Sequence, residues 1–184
     1  MQEPCWPAIA RAPGEGVMLP GMREPTVPTV VDLRPVYAAD LPFLAQMALL
    51  AAFPPGPLPE GALAMPRVVR WTQGWGRPGD VGVVAWKKGV RIGAAWCRIQ
   101  DEALVRDEAE NAVPEIAIAV APDHRSRGIG AKLLAGLEAE AAKSGQTGLS
   151  LTVNALNPAH RLYERAGFVL VRRDGGCLTM VKQQ

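Results

Sequence analysis

The sequence predicts a single α/β domain built on a mixed β-sheet. Three observations carry that expectation. The chain has 184 residues, the length of one domain, and folded as one unit it buries roughly 70% of its extended-chain surface. Periodic segments follow one another in the order β-α-α-β-β-β-α-β-α-β-β, which is an α/β pattern with no visible internal repeat. Hydrophobic residues make up 48% and charged residues 21%, an ordinary globular balance. No apolar run approaches the ~20 residues that span a bilayer. The expectation is a cytoplasmic protein without a membrane partner.

Residues 1–28 stand apart. Pro4, Pro7, Pro13, Pro20, Pro25 and Pro28 alternate with Gly14, Gly16 and Gly21, and no period survives. An irregular extension is expected over 1–28 and the folded domain over 29–184. No basic segment precedes an apolar one there, so no secretory signal is expected. Met18 and Met22 stand as alternative starts.

Thr29 to Pro35 reads as a short strand ended by proline. Ala38 to Ala52 reads as a helix, with Asp40 in its first turn and Leu41, Leu44, Ala45, Ala48 and Ala52 at helical spacing. Pro66 suits a first helical position, so a second helix is expected from there to about Gln73. Asp80–Trp86 and Val90–Ile99 read as strands joined by a hairpin at Lys87-Lys88-Gly89. Asp101 to Glu110 holds five carboxylates against Arg106 alone and reads as a solvated loop. Glu115–Val120 is an apolar strand with Ile116, Ile118 and Val120 on one face and alanines on the other. Gly128–Ser144 is an amphipathic helix presenting Ile129, Leu133, Leu134, Leu137 and Ala141. Gly148–Val153 is a strand. Asn157 and Pro158 open a short helix that stops at Gly167. Phe168–Arg173 and Cys177–Lys182 close the chain as a hairpin about Gly175-Gly176.

Several functions are set aside by composition. A net charge of +2, from 20 basic and 18 acidic side chains, does not mark a nucleic-acid binder, and no basic helix is present. Three cysteines without CxxC spacing and only two histidines predict no metal site.

The chemistry lies in Val120-Ala-Pro-Asp-His-Arg-Ser-Arg-Gly-Ile-Gly130. This segment leaves a buried strand and enters a helix. The first amides of a helix lack intrahelical acceptors and sit at the positive end of its dipole, which suits a phosphate. Gly128 and Gly130 keep side chains away from the backbone, and Arg125 and Arg127 add guanidinium charge. Neither GxGxxG nor GxxxxGK[ST] is matched. A plain tight turn with two surface arginines is the competing reading.

Arg125-x-x-Gly128-x-Gly130 follows Glu115-Ile-Ala-Ile-Ala-Val120. It precedes Asn154, Asn157 and Leu162-Tyr163-Glu-Arg-Ala-Gly-Phe168. That ordered set resembles the GNAT superfamily of acyl-CoA-dependent N-acetyltransferases, closely over about 115–170 and by element order over 29–182. The resemblance implies a mostly antiparallel mixed sheet with one splayed parallel pair and about four helices. It implies acetyl-CoA as co-substrate, with the pantetheine arm along Ile118, Ala119 and Val120. The pyrophosphate would rest on the turn through Arg125, Ser126, Arg127, Gly128, Ile129 and Gly130, with Asn154 and Asn157 as further ligands. The partner implied is a small-molecule or peptidyl amine, and a homodimer is compatible.

Acetyl transfer to an amine requires a neutral amine, a stabilised oxyanion and a proton for the departing thiolate. A lysine-like amine has a pKa near ~10, so a base is needed at neutral pH. Glu115 matches a carboxylate that serves as base in the family; the alternatives are a solvated strand-end glutamate, another residue or water. Tyr163 matches a tyrosine aimed at the coenzyme sulfur; the alternative is a half-buried packing residue. A backbone N–H near Val120 would meet the oxyanion. Cys97 and Cys177 read as packing residues. Trp71 and Trp75 read as a wall for the acceptor, and Trp86 and Trp96 as sheet packing. The acidic run from Asp101 to Glu110 suggests a cationic acceptor. A non-catalytic acyl-CoA sensor with the same fold is the alternative function.

Overall fold

A computed structural model describes residues 30–53 and 56–183. The extension expected over 1–28 lies outside those residues, as does Thr29. Seven strands form one sheet in the order β1-β2-β3-β4-β5-β7-β6. They are β1 (Asp32–Pro35), β2 (Val81–Lys87), β3 (Val90–Arg98), β4 (Glu115–Val120), β5 (Gly148–Asn154), β6 (Val169–Asp174) and β7 (Cys177–Gln183). All neighbours are antiparallel except β4 and β5. Four helices flank the sheet among the described residues: α1 (Leu41–Ala52), α2 (Pro66–Val69), α3 (Ile129–Lys143) and α4 (His160–Arg165). The expected architecture is the one found.

The period-2 pattern of β4 divides the core. Ile116, Ile118 and Val120 face one side, where Leu133, Leu134 and Leu137 of α3 and Tyr163 of α4 pack. Ala117 and Ala119 face the other, under Leu44 and Ala48 of α1 and against Trp96. Small residues on that face let α1 lie close to the sheet. The β2–β3 hairpin turns through Lys88 (φ 49°) and Gly89 (φ 78°), a left-handed pair that matches the strand twist. Asp40 is buried because its carboxylate accepts from the Tyr37 amide and from Arg91 Nε. That bond fixes where α1 starts.

Several boundaries differ from expectation by one to four residues. Strand β1 begins at Asp32 rather than Thr29, and α2 ends at Val69 rather than near Gln73. Beyond Val69 the chain continues as successive turns. Their carbonyls find a different partner, described below.

Candidate active site

Strands β4 and β5 meet at one residue pair only, Glu115 with Ser150. The Ser150 amide donates to Pro114 O at 2.8 Å. Past that point the strands diverge, and residues 117–120 and 151–154 form no ladder with each other. Buried backbone groups that lose a ladder need another partner. The splay therefore opens a slot lined by extended backbone, with Val120 and Asn154 at its wide end. The deep side of the slot is apolar, since Ile118 and Val120 border the core under α3.

The turn from β4 to α3 lies at the wide end. Pro122–His124 form a 3-10 turn, Ser126 (φ 58°) and Gly128 (φ 75°) are left-handed, and Gly128 is the N-cap of α3. The first bond into the helix is Lys132 N–H to Gly128 O. Consequently the amides from Ser126 to Ala131 have no backbone acceptor among the described residues. Left-handed residues alternating with right-handed ones gather such amides into an anion-binding concavity. A Cβ at Gly128 would meet nothing within 4 Å, so its backbone angle, not crowding, selects glycine. At Gly130 a Cβ would touch Leu162 at an ordinary 3.5 Å. Arg125 turns back so that its Nε donates to Val120 O at 3.0 Å, and Arg127 is exposed. One arginine thus braces the turn and the other faces solvent.

Asn154 and Asn157 shape the chain between β5 and α4. Asn154 Oδ1 accepts from the Leu156 amide at 2.8 Å, and Asn157 Oδ1 from the Ala159 amide at 3.0 Å. Asn157 therefore closes a turn ahead of the helix rather than capping it: α4 begins at His160, and its N-cap is Ala159, with no side-chain cap bond. Tyr163 is buried in the core beside Phe168, the rings edge-on at 5.9 Å. Burial pushes its hydroxyl up to about 12, and that hydroxyl has no hydrogen-bond partner among the described residues.

Glu115 sits at the closed end of the slot and is buried rather than solvated. Arg70 Nη2 reaches both of its oxygens, at 2.7 and 2.8 Å. Burial raises the carboxyl above its ordinary 4.5 and the Arg70 guanidinium opposes the rise, leaving it net raised. Arg98, opposite Glu115 across the β3–β4 pair, is wholly buried. It forms two bonds to the Asp80 carboxylate, at 2.8 and 2.6 Å, and its Nη1 donates to the carbonyls of Arg70 and Gln73. Asp80 in turn accepts from the amides of Gly76 and Arg77. One buried ion pair therefore pins the whole 70–80 segment to the sheet. Sequence reasoning missed this network. Its signal was Arg98, the one charged residue in the otherwise apolar run from Ile92 to Ile99.

A cleft of ≈ 540 Å³ opens beside Glu115 between α2, the segment after it and the end of β3. Arg70, Gln73, Arg77, Gln100 and Asp101 bring its polar groups. The tryptophan wall expected of Trp71 is not there. Trp71 is buried and meets Trp96 edge-on at 6.0 Å, while Trp75 lies over the Arg98 guanidinium. Cys97 is buried, its thiol pushed up to about 12 mainly by burial, and a thiol that holds its proton so firmly is no nucleophile at neutral pH. In the acidic run, Asp107 spends its carboxylate on the amides of Ala109 and Asn111, closing an exposed turn on itself. No group of histidine, cysteine and acidic residues suited to a metal occurs among the described residues. None of their helices is long and apolar enough to cross a membrane.

Residues 45–168 match the family model described as acetyltransferase (GNAT) family. No curated protein matches the chain in sequence. Among solved structures, yncA from Salmonella typhimurium with its cofactor acetyl-CoA aligns at 22% identity with a TM-score of 0.62, over 84% of this chain and 94% of that one. A ribosomal-protein-alanine N-acetyltransferase from Brucella melitensis aligns at 25% identity and 0.61, over 83% and 99%. The PaiA N-acetyltransferase of Thermoplasma acidophilum, in complex with coenzyme A, aligns at 19% and 0.58, over 84% and 99%.

Proposed function

Because the chain belongs to the GNAT acetyltransferase family, we propose that it transfers the acetyl group of acetyl-CoA to a primary amine by direct attack with both substrates bound. The observation that carries this reading is a buried carboxylate, Glu115, at the closed end of the slot between β4 and β5, with Arg70 on both of its oxygens. Acetyl-CoA, when bound, supplies an activated acetyl group as a thioester. The backbone of Ile118, Ala119 and Val120, paired with β3 but not with β5, suits a pantetheine arm that needs hydrogen bonds along an extended chain. Free amides from Ser126 to Gly130 suit the pyrophosphate, with Arg125 and Arg127 adding charge and Asn154 and Asn157 at the mouth. Glu115 takes the proton of the amine, directly or through water. A backbone N–H near Val120 faces the developing oxyanion, and Tyr163 holds a proton for the leaving sulfur.

Calorimetry with coenzyme A tests the coenzyme site. Gly128→Glu places a like charge at the pyrophosphate turn and is expected to weaken binding about a hundredfold. Gly128→Ala carries the same left-handed backbone strain, about 1–2 kcal/mol, without the charge. Equal affinity of the glutamate variant and wild type, with both folded, would sink the assignment.

The pH–rate profile tests the base. A base acts only above its own pKa, and that of Glu115 is raised, so the acidic limb is expected above pH 4.5. Glu115→Gln flattens that limb. Arg70→Gln removes the charge that opposes the rise, so the limb moves to higher pH. A midpoint indifferent to both variants assigns the limb to the amine itself.

A further inference from the structure

Resting on the acetyltransferase reading, we propose that the cleft beside Glu115 selects acceptors that carry a carboxylate or similar oxyacid group near the amine. Its polar donors point to that ligand. Arg70 commits one nitrogen to Glu115, yet its side chain remains 43% exposed. Its other guanidinium nitrogens have no hydrogen-bond partner among the described residues. The guanidinium also lies over the Trp71 ring at 4.9 Å, which fixes its plane. Arg77 lies across the cleft with 44% of its side chain exposed. Gln100 belongs to the same lining but is only 8% exposed, so the two arginines are the accessible charged donors of the cleft.

The charges lining the cleft are two arginines against one carboxylate, Asp101. Asp101 is 98% exposed and approaches Arg77 only to 3.8 Å, a surface contact of little strength. Glu115 lies behind Arg70 and does not line the cleft. The other carboxylates of the acidic run are absent from the lining.

Both arginines are held in place. Arg98 grips the Arg70 carbonyl and its partner Asp80 grips the Arg77 amide. One buried pair thus sets the spacing of two guanidiniums, the kind of rigid frame that makes oxyacid recognition specific. An oxyacid held there stands one guanidinium away from Glu115.

The test is a panel in which α- and ω-amino carboxylates are each compared with their own amide and with the aminophosphonate of equal chain length, following coenzyme A release. One or both oxyacids are expected to exceed the amide in kcat/KM by about tenfold or more, the yield of one charge-assisted bond. Arg77→Gln is expected to collapse that ratio. Amides equal to or better than oxyacids, or a ratio that survives in Arg77→Gln, overturn the proposal. Should no amine release coenzyme A, the acetyltransferase reading fails, and calorimetry of the same panel then decides the cleft alone. Oxyacids binding about tenfold tighter than amides, with the difference lost in Arg77→Gln, uphold it. No such difference in wild type overturns it.

Discussion

Replacing Arg98 by methionine is expected to lower the unfolding free energy by about 3–5 kcal/mol, because it strands the Asp80 carboxylate in the protein. Arg98 is 0% and Asp80 1% exposed at the side chain, and Arg98 donates to four oxygens in all. Methionine fills much of the same space but offers no donor, so the carbonyls of Arg70 and Gln73 lose a partner too. Urea unfolding measures the loss. The double variant Arg98→Met, Asp80→Leu removes the stranded charge and should recover part of it, not all, since the amides of Gly76 and Arg77 then lack Asp80. A single variant within about 1 kcal/mol of wild type would show that water reaches Asp80 and that the pair is not sealed. The pH dependence has a defined sign. Burial pushes Asp80 up, but the hydrogen bonds from Arg98, Gly76 and Arg77 together outweigh it and hold the carboxyl below its ordinary 3.8. Its contribution is therefore complete above pH 3.8 and is lost as pH falls through the lowered value. Arg98→Met should flatten that part of the stability curve.

The fold was legible where local periodicity decides it. In β4, Ile116, Ile118 and Val120 alternate with alanines, and the strand runs over the expected residues because a one-residue slip would turn every large side chain to the wrong face. The Lys88-Gly89 and Gly175-Gly176 turns were legible for the same local reason: φ is positive at each of the four residues. What the sequence concealed is carried by contacts between distant residues. Segment 70–73 leaves the regular helix where its carbonyls meet Arg98, and nothing local to Pro66–Gln73 announces that. Trp71 has the composition of a pocket wall, yet its ring partner is Trp96, 25 residues on. The candidate site divides in the same way. The glycine turn and both asparagines were visible from residue type and spacing, whereas Arg70, Arg77 and Gln100 share one cleft only because Arg98 ties the segment after α2 to β3.

Tyr163→Phe is expected to cut turnover by ~10²–10⁴-fold while leaving coenzyme A affinity and stability unchanged, on the reading that Tyr163 protonates the leaving sulfur. The substitution is unusually clean at this position. Phenylalanine keeps the ring that meets Phe168 at 5.9 Å, so no cavity opens. The hydroxyl forms no hydrogen bond among the described residues, so its removal leaves no partner stranded and unfolding should not shift by more than about 0.5 kcal/mol. Burial also matters for the chemistry. With its pKa pushed up to about 12, the hydroxyl stays protonated across the whole working range, so the donor form is always present and no alkaline limb should arise from it. Single-turnover measurement separates the step from product release. If acetyl transfer to a good acceptor proceeds near the wild-type rate in Tyr163→Phe, the tyrosine is a core residue and another group or water supplies the proton. If transfer slows but coenzyme affinity falls with it, the hydroxyl orients the coenzyme instead. Only lost turnover at unchanged affinity and stability assigns the proton to Tyr163, because packing, binding and chemistry respond to this one oxygen in three separable measurements.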